Sequence, residues 1–186
     1  MEEIEFVKHL GFWFFQIWFY NGVLGIETLQ EPKGNGIKKV SFPVILHVVL
    51  DMPEYEKYSK KLINLLNHFG RNEVIVHPVC KAEQITNKTM HLLKEKIESL
   101  HQELAVRNIK LYVENNSLID GFFNTVEDLG MVFDVNPEIG LLLDLAHINN
   151  YDHLSKIVEM RFSECIHIAD KHFNIIHEHP TLWMGN

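Results

Sequence analysis

Six polar side chains recur at comparable places in six short apolar runs of this sequence. Gln16 lies in FWFFQIW, His47 in VSFPVILHVVL and His77 at the end of EVIVH; Glu114 closes IKLYVE, Asp144 follows IGLLL, and His167 stands in SECIHIAD. Histidine, glutamate and aspartate side chains of this kind form a hard-to-borderline donor set suited to a divalent metal, Zn²⁺, Mn²⁺ or similar. A carboxylate in such a set can also move a proton on a carbon beside a polarised carbonyl. Local spacings add to the pattern. Asp144 and His147 make a D-x-x-H step across a strand-to-helix turn, and His167 and Asp170 make H-x-x-D on the next strand end. His177 and His179 form an H-x-H pair, but imidazoles two apart in an extended loop point apart, so His179, followed by Pro180, is the one expected at the site.

Each residue also has a plainer reading. His9, His68, His91 and His101 fall on charged helical stretches and are expected to be solvated surface residues. His47, flanked by Ile45, Leu46, Val48 and Val49, could be a hydrogen-bonded core histidine. Glu114 and Asp144 could each cap the helical segment that follows. Their joint occurrence at successive strand ends favours a site, because in a parallel sheet those ends share one edge, where α/β enzymes bind ligands.

The elements that must position these residues alternate regularly. Strands are expected near 12–18, 43–49, 73–77, 109–114, 139–144 and 163–169, six in all. Between them, helices are expected over 53–70, closed by Gly70, from about Asn87 to Val106, over Leu118 to Leu129, and near Asp152 to Met160. A further helix is expected at Ile4 to Leu10. Near-continuous apolar strands alternating with amphipathic helices predict an α/β fold with a parallel sheet covered by helices.

Composition excludes several classes. The 186 residues are 46% hydrophobic and 23% charged, the profile of one globular domain spanning 1–186. A net charge of −8 disfavours nucleic-acid partners and anionic membranes, which need Lys and Arg in excess. Two cysteines, Cys80 and Cys165, exclude a disulfide scaffold and fit a reducing compartment. The apolar stretch from Phe12 to Ile26 is interrupted by Gln16 and Asn21 and reads as a buried strand with its exit loop rather than a membrane span. The acidic start, MEEIE, lacks the basic character of an export signal, so a cytoplasmic location is expected.

The ordered set VIVHP, LYVENN, GLLLDLAH, IHIAD and HEHPTLWMGN resembles the xylose-isomerase-like barrel superfamily, which holds sugar and sugar-phosphate isomerases and epimerases as well as endonuclease IV-type apurinic nucleases. The resemblance implies metal ligands at Glu114, Asp144 and His167, with His147 facing the substrate. In the nuclease branch it implies His47, His77, His147 and His179 as further ligands. Across the two, Glu114 and His147 are the expected catalytic residues; Glu114, Asp144, His167, His77 and His179 the metal ligands; and His47, Gln16, His147 and Asp170 the substrate-binding groups.

The chain departs from the family pattern at Gln16, where a Glu is usual, and at His177, where the nuclease pattern has Asp. A full barrel takes ~250 residues, or ~31 per unit. The length therefore predicts a partial or open barrel of about six strands without the first and last, and without the carboxylate that the last supplies. Its exposed edges predict a homo-oligomer. The expected function is a metal-dependent isomerase or epimerase of a small sugar or sugar phosphate. The alternatives are an apurinic-site phosphodiesterase and a non-catalytic metal- or ligand-binding partial barrel.

Overall fold

The computed structural model describes residue 6 and residues 8–25, 42–81 and 84–168. Strands β1 (Phe15–Tyr20), β2 (Val23–Leu24), β3 (Val44–Asp51), β4 (Glu73–Val79), β5 (Lys110–Glu114), β6 (Gly140–Asp144) and β7 (Cys165–His167) form one sheet in the order β2-β1-β3-β4-β5-β6-β7. All neighbours are parallel except β1 and β2, which pair antiparallel. Helices α1 (Glu54–Phe69), α2 (Asn87–Ala105), α3 (Val126–Phe133) and α4 (Tyr151–Met160) fill the crossovers, and a 3-10 turn, Leu145–His147, follows β6. The architecture is an open α/β half-barrel. The helix termini are written into the sequence. Gly70 takes a left-handed φ of 63° and returns its N–H to the last turn of α1. Thr86 and Thr89 form a capping box on α2, while Thr125 and Asn150 cap α3 and α4.

Strand residues alternate between two environments. Ile17, Phe19, Leu46, Val48, Val74, Val76, Leu111, Val113, Leu141 and Leu143 point outward and are buried against Leu62, Leu66, Leu93, Ile97, Leu129 and Ile157 of the helices. This layer is the hydrophobic core, and burying it drives the sheet and helices together at about 25 cal/mol per Å² of apolar surface. The opposite, inner face carries Gln16, His47, His77, Glu114, Asp144 and His167 (the pairing places them there).

Three expectations are corrected. The first strand is Phe15–Tyr20 rather than 12–18, and Phe12, Trp13 and Phe14 ahead of it are exposed, Trp13 by 86%. A seventh strand, β2, was not expected; Asn21 and Gly22, both at positive φ, turn the chain back for it. The helix expected over Leu118 to Leu129 is instead α3, Val126–Phe133. Side chains hold the preceding segment in another shape: Ser117 donates from N and Oγ to Asp120, Asn124 donates to the Ser117 carbonyl, and the Phe123 N–H donates to Asp128. Gly121 and Phe123 sit at positive φ, which a helix forbids. Of the helix expected at Ile4 to Leu10, the described residues Phe6, Lys8 and His9 are helical and Leu10 is a turn residue.

On the inner face Gly140 pairs with Tyr112, and a Cβ at Gly140 would lie 2.4 Å from the Tyr112 ring. Gly140→Val is therefore expected to destabilise the fold by ~1–3 kcal/mol through overpacking. Urea denaturation of a double-mutant cycle with Tyr112→Ala checks this: the cost must shrink when the ring is gone.

Candidate metal centre

The expected convergence of polar residues depends on stagger more than on strand ends. Gln16 is the second residue of β1, and His47 and His77 are followed by four and two further strand residues. The pairing sets Trp18 beside His47 and Val49 beside His77, so Gln16, His47 and His77 climb two residues at each strand. Val76 pairs with Val113, which levels His77 with Glu114; Leu142 pairs with Glu114 and Asp144 with His167, which puts the last two residues one further step up. Even steps keep every side chain on the inner face. The climb, roughly one residue per strand, matches the stagger of an eight-stranded barrel of shear 8 and brings the side chains level around its axis.

At the centre is Glu114, 1% exposed. Its Oε2 accepts from His77 Nδ1 at 2.8 Å and its Oε1 from His167 Nδ1 at 2.9 Å. His47 Nε2 also lies 2.8 Å from Oε2, an ion-pair distance at which the ring N–H is not aligned as a hydrogen bond. Asp144 Oδ2 is 3.5 Å from His167 Nδ1 and 3.9 Å from His147 Nε2. Gln16 spans the inner face from β1: its Nε2 contacts His47 Nδ1, and its Oε1 lies 3.0 Å from His167 Nε2. Trp18 stacks on His47 at 4.1 Å between ring centroids.

Two residues without an expected role hold this arrangement. Asn115 Oδ1 accepts from the Asp144 N–H at 2.8 Å, and its backbone carbonyl lies 2.7 Å from His147 Nδ1. That contact directs His147 Nε2 towards Asp144. Asn116, next in the chain and also fully buried, donates to the Pro78 carbonyl and so ties the end of β5 to β4. Both stand in the LYVENN segment, but an Asn after a strand reads as a turn residue, and nothing in the sequence tells which backbone it will meet. Asp144 meets both of its sequence readings at once: Oδ1 caps the 3-10 turn at the Ala146 N–H, and Oδ2 faces the centre.

Among the described residues, two groups have donor atoms close enough to hold a metal ion: His47, His77 and Glu114, and Glu114, Asp144 and His167. They share Glu114, one oxygen facing each group. The donor chemistry fits a dication, and the unaligned, buried His47 Nε2 is a donor atom whose direction no protein group satisfies. His147 lies beside these groups rather than within them, while Asp170 and His179 fall outside the described residues. The centre opens into a cavity of about 1060 Å³, bounded on the β1 side by Trp13, Phe14, Trp18 and Tyr20 and on the β7 side by Ile166.

Protonation follows from this packing. Burial opposes the charge on Glu114, but the hydrogen bonds of His167 and His77 and the close approach of the His47 ring outweigh it and hold the carboxyl well below the usual range. Burial also opposes charge on His167, yet Asp144 and Glu114 overcome it and raise its pKa to about 9. His77 is raised in the same way by Glu114 against burial, whereas for His47 burial wins and the pKa falls.

No family model matches the sequence, and no curated protein does so. The likenesses are to solved structures. A D-tagatose 3-epimerase-like protein superposes with a TM-score of 0.57 at 18% identity, over 77% of this chain and 62% of its own. A family 2 AP endonuclease from Brucella melitensis gives 0.64 at 16% identity, over 91% and 73%. A xylose isomerase-like TIM barrel protein from Mycobacterium smegmatis, in complex with magnesium, gives 0.61 at 16%, over 92% and 66%. These likenesses establish the fold, an open α/β half-barrel of the TIM-barrel kind. The chain spans less than two thirds of the length of the epimerase-like neighbour.

Because the His167 pKa is raised from 6.5 to about 9 by folding, its stabilising contribution is full below 6.5 and is lost as pH rises through 9. Chelator-treated protein is thus expected to lose thermal stability between pH 6.5 and 9, and Glu114→Gln to flatten that slope; melting followed by circular dichroism across this range checks both.

Proposed function

We propose that this chain is a metal-dependent isomerase- or epimerase-type protein acting on a small sugar or sugar phosphate. The observation that carries the reading is the buried Glu114 carboxylate, with both oxygens engaged by imidazoles and Asp144 alongside. Glu114, Asp144 and His167 would hold the ion, with His77 and His47 on the other side of Glu114. A bound dication supplies Lewis-acid polarisation of a carbonyl and hydroxyl.

The chain's own residues supply the rest. Glu114, held ionised by its neighbours, is a carboxylate able to take a proton from the carbon beside the carbonyl. His147, oriented by the Asn115 carbonyl, presents Nε2 for a substrate hydroxyl. Trp18 offers a flat apolar face to a sugar ring and keeps water off His47. Asp170 and His179 are proposed to complete the binding groups from the C-terminal side. The epimerase-like and xylose isomerase-like neighbours support this reading through their shared fold.

The apurinic-nuclease reading has one observation in its favour, a second histidine-bearing group, His47 and His77, on Glu114. Against it stands the net charge of −8, which gives a nucleic-acid backbone little to bind. No helix among the described residues is long and apolar enough to cross a membrane.

Metal-depleted protein titrated with ZnCl₂ or MnCl₂ is expected to bind in calorimetry and to release about one proton near pH 7.5, since His167 must give up its charge to ligate. Glu114→Gln is expected to weaken binding at least ~10-fold. Loaded protein is then assayed against a panel of ketoses, sugar phosphates and an abasic-site oligonucleotide. Turnover of the oligonucleotide alone would replace the isomerase reading with the nuclease one. Metal binding without any turnover would leave a non-catalytic binding protein.

A further inference from the structure

The two candidate ligand groups are not independent, because one side chain stands behind both. Gln16 reaches His47 Nδ1 with its amide nitrogen and His167 Nε2 with its amide oxygen. Among the described residues, no other hydrogen-bond partner is recorded for either ring atom. The atoms facing the ligand groups are the opposite ones, His47 Nε2 and His167 Nδ1.

An imidazole that ligates through one nitrogen carries its hydrogen on the other, and that N–H needs an acceptor. If His47 ligates through Nε2, its Nδ1–H must donate to Gln16. If His167 ligates through Nδ1, its Nε2–H must donate to Gln16. A primary amide has one acceptor oxygen and one donor nitrogen directed to opposite sides. Turning the amide over exchanges which histidine meets the oxygen, but in neither orientation do both. The remaining ring N–H would then face an N–H₂ group in a buried site and be left without an acceptor.

The geometry points to Gln16 as a stoichiometry-determining residue: its amide allows either His47 or His167 to serve as a ligand, so the centre holds one ion per chain rather than one in each group. In the orientation seen, the oxygen serves His167, which selects the Glu114, Asp144 and His167 group. A carboxylate in place of the amide would offer an acceptor oxygen to each histidine and lift the restriction. This inference rests on the metal-binding reading above and sharpens it.

The test is metal content after loading with excess ZnCl₂ and desalting, measured by mass spectrometry on wild type, Gln16→Glu and Glu114→Gln. Wild type is expected to hold about one ion per chain and Gln16→Glu about two. Wild type holding about two, or a folded Gln16→Glu still holding about one, overturns the assignment. Wild type holding none, as Glu114→Gln does, overturns the metal reading itself and this inference with it. A variant-free measurement covers a misfolded Gln16→Glu and separates the hydrogen-bonding effect from the added charge. Imidazole ¹⁵N spectra of loaded wild type should show a metal-bound nitrogen on one of His47 and His167, and metal-bound nitrogens on both overturn the assignment.

Discussion

The inner face of this half-barrel is organised by a buried negative charge. An ionised carboxylate taken out of water costs several kcal/mol unless it is paired and hydrogen-bonded. Glu114 meets that cost with imidazoles drawn from three different strands, β3, β4 and β7. Removing the carboxylate would leave those imidazoles facing one another, His47 and His167 with ring centroids 5.2 Å apart. The strands that carry them are therefore tied through the interior as well as through their ladders. The hydrogen bond of His167 with Gln16 extends the tie from β7 across to β1.

Much of this was legible in the sequence, for a physical reason. Buried parallel strands must be apolar on both sides of each polar inner residue, so His47 within VILHVV or Asp144 after GLLL stands out against its surroundings. Helix ends were legible at Gly70, which closes α1, and near Asn87, where α2 begins. What could not be read was register. Gln16 and His47 lie well short of their strand ends, and only the stagger of the barrel brings them level with Glu114. Stagger is set by the twist and closure of the whole sheet and leaves no mark in any one strand.

The loop after β5 shows the opposite failure. Leu118, Ile119, Phe122 and Phe123 mimic a helical apolar period. The conformation is decided by short-range bonds from Ser117, Asp120, Asn124 and Asp128, which compete with helical hydrogen bonding. The outcome serves the site: it leaves Asn115 and Asn116 buried, where one steadies Asp144 and His147 and the other joins β5 to β4. The aromatic run before β1 was likewise taken for interior, because apolarity alone cannot distinguish a core strand from the apolar wall of an open cavity.

Alternation along the strands has a wider consequence. The outward residues hold the helices, and the inward residues hold the chemistry, with successive positions assigned to separate tasks. Substitutions can therefore accumulate on one set while the other is kept, which lets a lineage exchange its reaction without surrendering its scaffold. Neighbours sharing this scaffold at 16 to 18% identity, yet described as epimerase-like in one case and as an endonuclease in another, are the outcome such a division of labour allows.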